Sequence, residues 1–155
     1  GAKCQLLGVA DGDWVRPMAE VLKKLGSERV LVVHSEDGLD EISIAAPTQV
    51  AELKNGEITE YSLRPEDFGW EPQSLQTLLV TDAKESLVLV QDAFSGRNLV
   101  ALQMVALNAG AALYAASGAD SLAAGVSMAE EALRSGQAVD KLAQLVTFSQ
   151  SLVTK

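Results

Sequence analysis

Val30-Leu31-Val32-Val33-His34-Ser35-Glu36-Asp37-Gly38-Leu39-Asp40-Glu41-Ile42-Ser43 is the stretch that decides the fold. Its first four residues are apolar and three are β-branched, the composition of a buried strand. Four carboxylates follow within Glu36–Glu41. They fall at the carboxyl end of that strand, where an open α/β sheet usually takes its ligand. The adjacent pair Asp40-Glu41 suits magnesium, a hard cation that takes one or two protein carboxylates and completes its shell with water and phosphate. Side chains alternate along a regular strand, so the two can share a cation only in an irregular loop. Gly38 gives the backbone freedom to form one. A solvated acidic turn is the competing reading of the same run, because charge runs usually face water.

Upstream, Gln5 to Val9 reads as a short strand, and Asp11 or Asp13 can cap a helix over Trp14 to Leu25. Val15, Met18, Val21, Leu22 and Leu25 recur at helical spacing, and Gly26 offers a left-handed stop. Strand, helix and strand in about thirty residues make a βαβ unit and hence a parallel pair. Downstream, Thr48–Leu53 and Glu57–Leu63 alternate around Asn55-Gly56, a strong hairpin signal. Arg64-Pro65-Glu66-Asp67-Phe68-Gly69 is turn-like and leads into a connection through Trp70 and Pro72.

The remainder reads as helical. Asp82 with Glu85 resembles a capping box ahead of Leu87, Leu89, Val90 and Phe94. Leu99–Ser117 is a long apolar helix. Asp120 is placed to cap the next, which ends near Gly136, and a last helix covers Val139 to Val153. The expected fold is therefore α/β: a mixed sheet with a βαβ unit and a β-hairpin, followed by packed C-terminal helices, in a single domain over residues 1–155.

With 12 Lys and Arg against 21 Asp and Glu, the chain carries a net charge of -9 and no basic cluster, which argues against nucleic acid. Cys4 is the lone cysteine, so an intrachain disulfide and a cysteine zinc site are both excluded. A reducing cytoplasm is the expected home. His34 is the lone histidine, and at a strand end it reads as hydrogen-bonded structure. Gln103, Asn108, Gly110, Ala111 and Ala112 make Leu99–Ser117 a tightly packed core helix rather than a membrane span, and Tyr114 reads as an amphipathic core residue. Gly8, Gly12 and Gly26 form neither a dinucleotide nor a P-loop fingerprint. Lys23 and Lys24 read as a solvated helix face. Gly1-Ala2-Lys3-Cys4 is no signal peptide, and a start that enters an apolar segment without Met reads as the interior of something larger.

The decisive stretch from Val32 to Ser43 resembles the signature of the anthranilate phosphoribosyltransferase family of tryptophan biosynthesis. Further matching blocks are Pro17-Met18-Ala19-Glu20-Val21-Leu22, Leu25-Gly26, Ala46–Leu53, Pro65–Gly69 and Leu107-Asn108-Ala109-Gly110-Ala111-Ala112-Leu113-Tyr114. The resemblance implies transfer of phosphoribosyl from phosphoribosyl pyrophosphate to anthranilate, with pyrophosphate leaving. It implies that Asp40 and Glu41 bind magnesium on the pyrophosphate side, and it assigns no general base. The family's helical N-terminal domain and Gly-Thr-Gly-Gly-Asp pyrophosphate loop have no counterpart here. The resemblance thus covers the C-terminal part of the family's α/β domain, and the complete enzyme is expected to be a homodimer. A second departure is Val80-Thr81-Asp82-Ala83-Lys84-Glu85-Ser86, a plain helix start where many members carry Gly-Gly and Glu-Asn. An apolar patch is expected where the missing half would pack, leaving the isolated chain incomplete and prone to association. A non-catalytic α/β packing domain is the alternative; the architecture also relates to nucleoside phosphorylases, whose block order fits poorly.

Overall fold

The computed structural model describes residues 2–153. The described strands, β1 (Cys4–Gly8), β2 (Arg29–Ser35), β3 (Thr48–Lys54) and β4 (Glu57–Leu63), form one sheet in the order β1-β2-β3-β4. The β1–β2 pair is parallel and the other two pairs are antiparallel, as a βαβ unit followed by a hairpin requires. Helix α1 (Val15–Lys24) is the crossover. The hairpin turns at Asn55 and Gly56, both at positive φ (53° and 79°), the backbone that a two-residue turn demands.

Both sheet faces are covered. On one, Val15 and Ala19 of α1 pack on Val30, Val32, Ala51 and Leu53. On the other, α3 (Leu99–Ala115) lays Leu107, Ala111 and Tyr114 on Leu31, Val33 and Val50. Val30 to Val33 are consequently almost fully buried, each contributing roughly 1.5–3 kcal/mol by leaving water. The alternation in Thr48–Leu53 predicts one solvated face. Instead Val50, Ala51, Glu52 and Leu53 are all buried, because α1 packs on one face of the strand and α3 side chains, Tyr114 among them, reach the other.

Three more elements complete the helical layer: α2 (Ala83–Phe94), α4 (Leu122–Arg134) and α5 (Gln137–Val153). Asp82 caps α2, accepting from the Lys84 and Glu85 amides at 2.9 and 2.8 Å. The expected capping box is incomplete: the Glu85 carboxylate accepts from the Thr81 N–H and hydroxyl, both at 2.8 Å, one residue before the cap. Ser121, not Asp120, caps α4: its hydroxyl reaches the Ala124 N–H at 3.1 Å, placing the N-cap one residue on. Asp11 caps a short 3-10 turn at Gly12–Trp14 that precedes α1, so Trp14 enters the helix without a side-chain cap. Gly110 of α3 and Gly125 of α4 let the two backbones touch; a Cβ on either would collide with the other helix. The tight packing expected of this helix is met at Gly110. Among the described residues no single helix is long and apolar enough to cross a membrane.

Candidate metal-holding loop

The acidic stretch leaves β2 at Ser35 and folds back immediately. Gly38 N–H donates to Ser35 O and Ser35 N–H to Leu39 O, both at 2.9 Å, with Gly38 at φ 91°. Glu36 N–H donates to Pro47 O at 2.9 Å, tying the loop's two limbs together. Beyond Glu41 the chain dives into the core, where Ile42, Ser43 and Ile44 are buried.

The four carboxylates have different fates. Asp37 is structural: it accepts the Ser43 hydroxyl at 2.6 Å and the Leu39 amide at 3.4 Å. Glu36 is exposed. Asp40 and Glu41 are exposed and adjacent, and each is the other's electrostatic problem. Burial, then the hydrogen bond that the protonated Glu41 carboxyl donates to Asp40's carboxylate and the charge of that carboxylate, push Glu41 above the ordinary 4.5. A divalent cation between two such groups would replace mutual repulsion by attraction.

Two anchors flank the pair. The Asp40 carbonyl lies directly on Gly8 at the end of β1, where any Cβ would collide with it. On the other side, Asn108 of α3 grips Ile42 by both backbone groups: Ile42 N–H donates to Asn108 Oδ1, and Asn108 Nδ2 donates to Ile42 O, each at 2.9 Å. The sequence alone assigns neither anchor a role. Gly8 registers there only as failing a nucleotide fingerprint, and Asn108 only as a polar interruption of an apolar helix. That interruption is the available signal.

Beside Glu41 opens an apolar groove of about 540 Å3, bounded by Leu39, Leu75, Leu78, Met104, Asn108 and Ala109. His34 does what a structural histidine does: Nδ1 lies 2.9 Å from Val9 O, in the chain just beyond β1. Tyr114, Lys23 and Lys24 stand away from this loop, Tyr114 buried against the sheet and the lysines exposed.

Residues 1–139 match the model of the glycosyl transferase family, a/b domain. The chain belongs to that family. Among curated relatives of this glycosyl transferase domain, the anthranilate phosphoribosyltransferase of Marinomonas sp. (strain MWYL1) is 57% identical over 99% of the chain. That of Stutzerimonas stutzeri (strain A1501) is 58% identical over 96%. The chain spans 45% and 44% of their respective lengths. The crystal structure of the anthranilate phosphoribosyltransferase from Thermus thermophilus matches 91% of the chain, and 41% of its own, with a TM-score of 0.81 at 38% identity. The Saccharomyces cerevisiae enzyme in complex with PRPP and Mg matches 94% of the chain and 42% of its own with a TM-score of 0.79. At 24% identity that match speaks for the fold alone.

Proposed function

We propose that this glycosyl transferase domain is the C-terminal part of the α/β domain of an anthranilate phosphoribosyltransferase, and that Asp40 and Glu41 are its magnesium ligands. The observation that carries the reading is the pair itself: two adjacent carboxylates fixed at the carboxyl end of β2, in a chain more than half identical to enzymes of that name. The donor set fits the ion. Both proposed ligands are hard oxygen donors of the kind magnesium takes from protein. A two-carboxylate site leaves positions for water and substrate phosphate, the coordination magnesium favours.

In the reaction, the amino nitrogen of anthranilate forms a bond to the ribose anomeric carbon, the bond from that carbon to pyrophosphate breaks with its electron pair leaving on pyrophosphate, and the nitrogen sheds one proton to solvent. Magnesium, when bound, neutralises the charge that grows on the leaving pyrophosphate. Asp40 and Glu41 would hold the ion at the carboxyl end of β2, and their part in the rate would be positioning and electrostatics rather than proton transfer. The phosphate- and anthranilate-holding groups belong to the remainder of the protein, which also completes a homodimer in the cytoplasm.

The test is anthranilate consumption, followed by its fluorescence, with phosphoribosyl pyrophosphate and magnesium. In the full-length protein, Asp40→Asn with Glu41→Gln is expected to lower turnover by about a hundredfold. Turnover equal to wild type at limiting magnesium would remove the pair from the site. The isolated 155-residue chain is expected to consume none. Consumption requiring all three components would mean that the chain suffices, and a chain whose parent neither consumes anthranilate nor gains stability from the substrate would be a packing domain.

A further inference from the structure

Ile42 poses a problem that the strand ladders do not solve. It is buried, yet it lies between β2 and β3, outside the registers that pair their backbones. A buried peptide without partners forfeits the hydrogen bonds it makes in water and is costly. Asn108 supplies both partners with one side chain, its carbonyl oxygen accepting and its NH2 group donating from the same planar amide. Its amide nitrogen also donates to Met104 O at 3.0 Å, which fixes the amide on its own helix. Asparagine is a poor residue for a helix interior compared with alanine, so its place in the apolar α3 needs such a reason.

The other anchor is Gly8. With Asp40 seated on Gly8 and Ile42 held by Asn108, the backbone is fixed on both sides of Glu41, one peptide away each. Asp37, bonded to Ser43, closes the same loop from outside. Resting on the magnesium reading above, we propose that Asn108 is a positioning residue: it fixes the Ile42 peptide so that Asp40 and Glu41 meet one magnesium ion. Magnesium tolerates little departure from octahedral geometry, and groups that orient metal ligands typically matter by ten- to a hundredfold in affinity or activity.

The experiment is a magnesium titration of the full-length protein with phosphoribosyl pyrophosphate, read as the rise in melting temperature rather than as turnover. Asn108→Leu keeps the side chain's size and removes its bonds. Its half-point is expected at about tenfold higher magnesium. Asn108→Ser leaves space for water to satisfy Ile42 without holding it, keeps the fold should the leucine variant not form, and is expected to shift the same way. Tyr114→Phe, which breaks a buried hydrogen bond further along the same helix, is the stability control: a lower melting temperature with the half-point unmoved. Folded Asn108 variants with the wild-type half-point overturn the proposal, and so does an equal shift in Tyr114→Phe. Asp40→Asn with Glu41→Gln separates the two ideas. If it too leaves the half-point in place, the magnesium reading falls; if only the Asn108 variants do, the positioning role falls alone.

Discussion

The two ends of the β2–β3 ladder both carry carboxylates, and they treat them in opposite ways. At the amino end of β2, Glu52 is only 7% exposed. Tyr114 OH donates to its Oε1 at 2.8 Å and Tyr61 OH to its Oε2 at 2.9 Å. Lys54 donates to Tyr114 OH at 3.3 Å, and the Arg29 guanidinium lies 3.9 Å from the Tyr114 ring centroid. At the carboxyl end, Asp40 and Glu41 are exposed, and each side chain faces its twin's charge. A buried charge with donors on both oxygens is a fixture of the fold. An exposed, self-repelling pair on a firmly anchored loop is suited to a cation that arrives from outside. The same helix serves both ends: Asn108 faces one and Tyr114, about 9 Å further along the axis, the other.

The sharpest way to break this contrast is to remove each charge and measure folding. Glu52→Ala strands two tyrosine hydroxyls and is expected to cost about 3 kcal/mol in denaturant unfolding of the full-length protein. A cost under about 1 kcal/mol would mean that water enters and the network is no fixture. Asp40→Asn with Glu41→Gln removes a repulsion, so it is expected to leave stability equal or raised. A large loss there would put the acidic pair in the same structural class as Glu52. Single deletions sharpen the picture: Tyr114→Phe and Tyr61→Phe each remove one donor to Glu52 and are expected to cost about 1 kcal/mol by thermal melting.

The alkaline limb belongs to the same end of the sheet. Burial first, then the charge and hydrogen bond of Glu52, hold the Tyr61 hydroxyl protonated well above its ordinary 10.0. A group whose folded value is raised stabilises below its unfolded value and loses that contribution as pH climbs through the folded one. Unfolding free energy is therefore expected to fall as pH rises above 10.0, and the fall should flatten in Tyr61→Phe. An unchanged slope in that variant would assign the loss to another group.

What the sequence disclosed follows from the range of the interactions. The Val30–Val33 strand, the Asn55-Gly56 turn and the Asp82 cap are set by neighbours within a few residues, and all three read correctly. The expected cap Asp120 lies one residue short of Ser121, which caps α4, and only the three-dimensional start of the helix decides that. Asp40-Glu41 stands out because adjacency and a flanking glycine are local. Asn108 and Ile42 are separated by 66 residues, and Glu52 and Tyr114 by 62. Periodicity has no access to such partners. Glu52 accordingly reads as one polar tooth of an alternating strand, when it is the centre of a buried network. Large apolar side chains stand exposed on α5, where Phe148 is 63% exposed alongside Leu145 and Leu152. A monodisperse monomer of the isolated chain in size exclusion would count against its use in association.

The smallest effect expected is also the one that separates the two ends most cleanly. Glu41 is raised above 4.5 by burial and by Asp40, so the folded chain holds that proton more tightly than the unfolded chain does. Its contribution is fully present below pH 4.5 and is lost as pH rises through the raised value. At neutral pH without magnesium, Glu41→Gln should therefore be slightly more stable than wild type, by about 0.5 kcal/mol or less because solvent screens an exposed pair. Below pH 4.5 the advantage should vanish. Magnesium should reverse the order at neutral pH, since it stabilises the native wild type and the variant has lost a ligand. Parallel melting curves of the two proteins with and without the ion decide the matter. If the order stays the same on adding magnesium, Glu41 repels its neighbour without serving any cation, and the carboxyl end of β2 would have to find another purpose for its acidic pair.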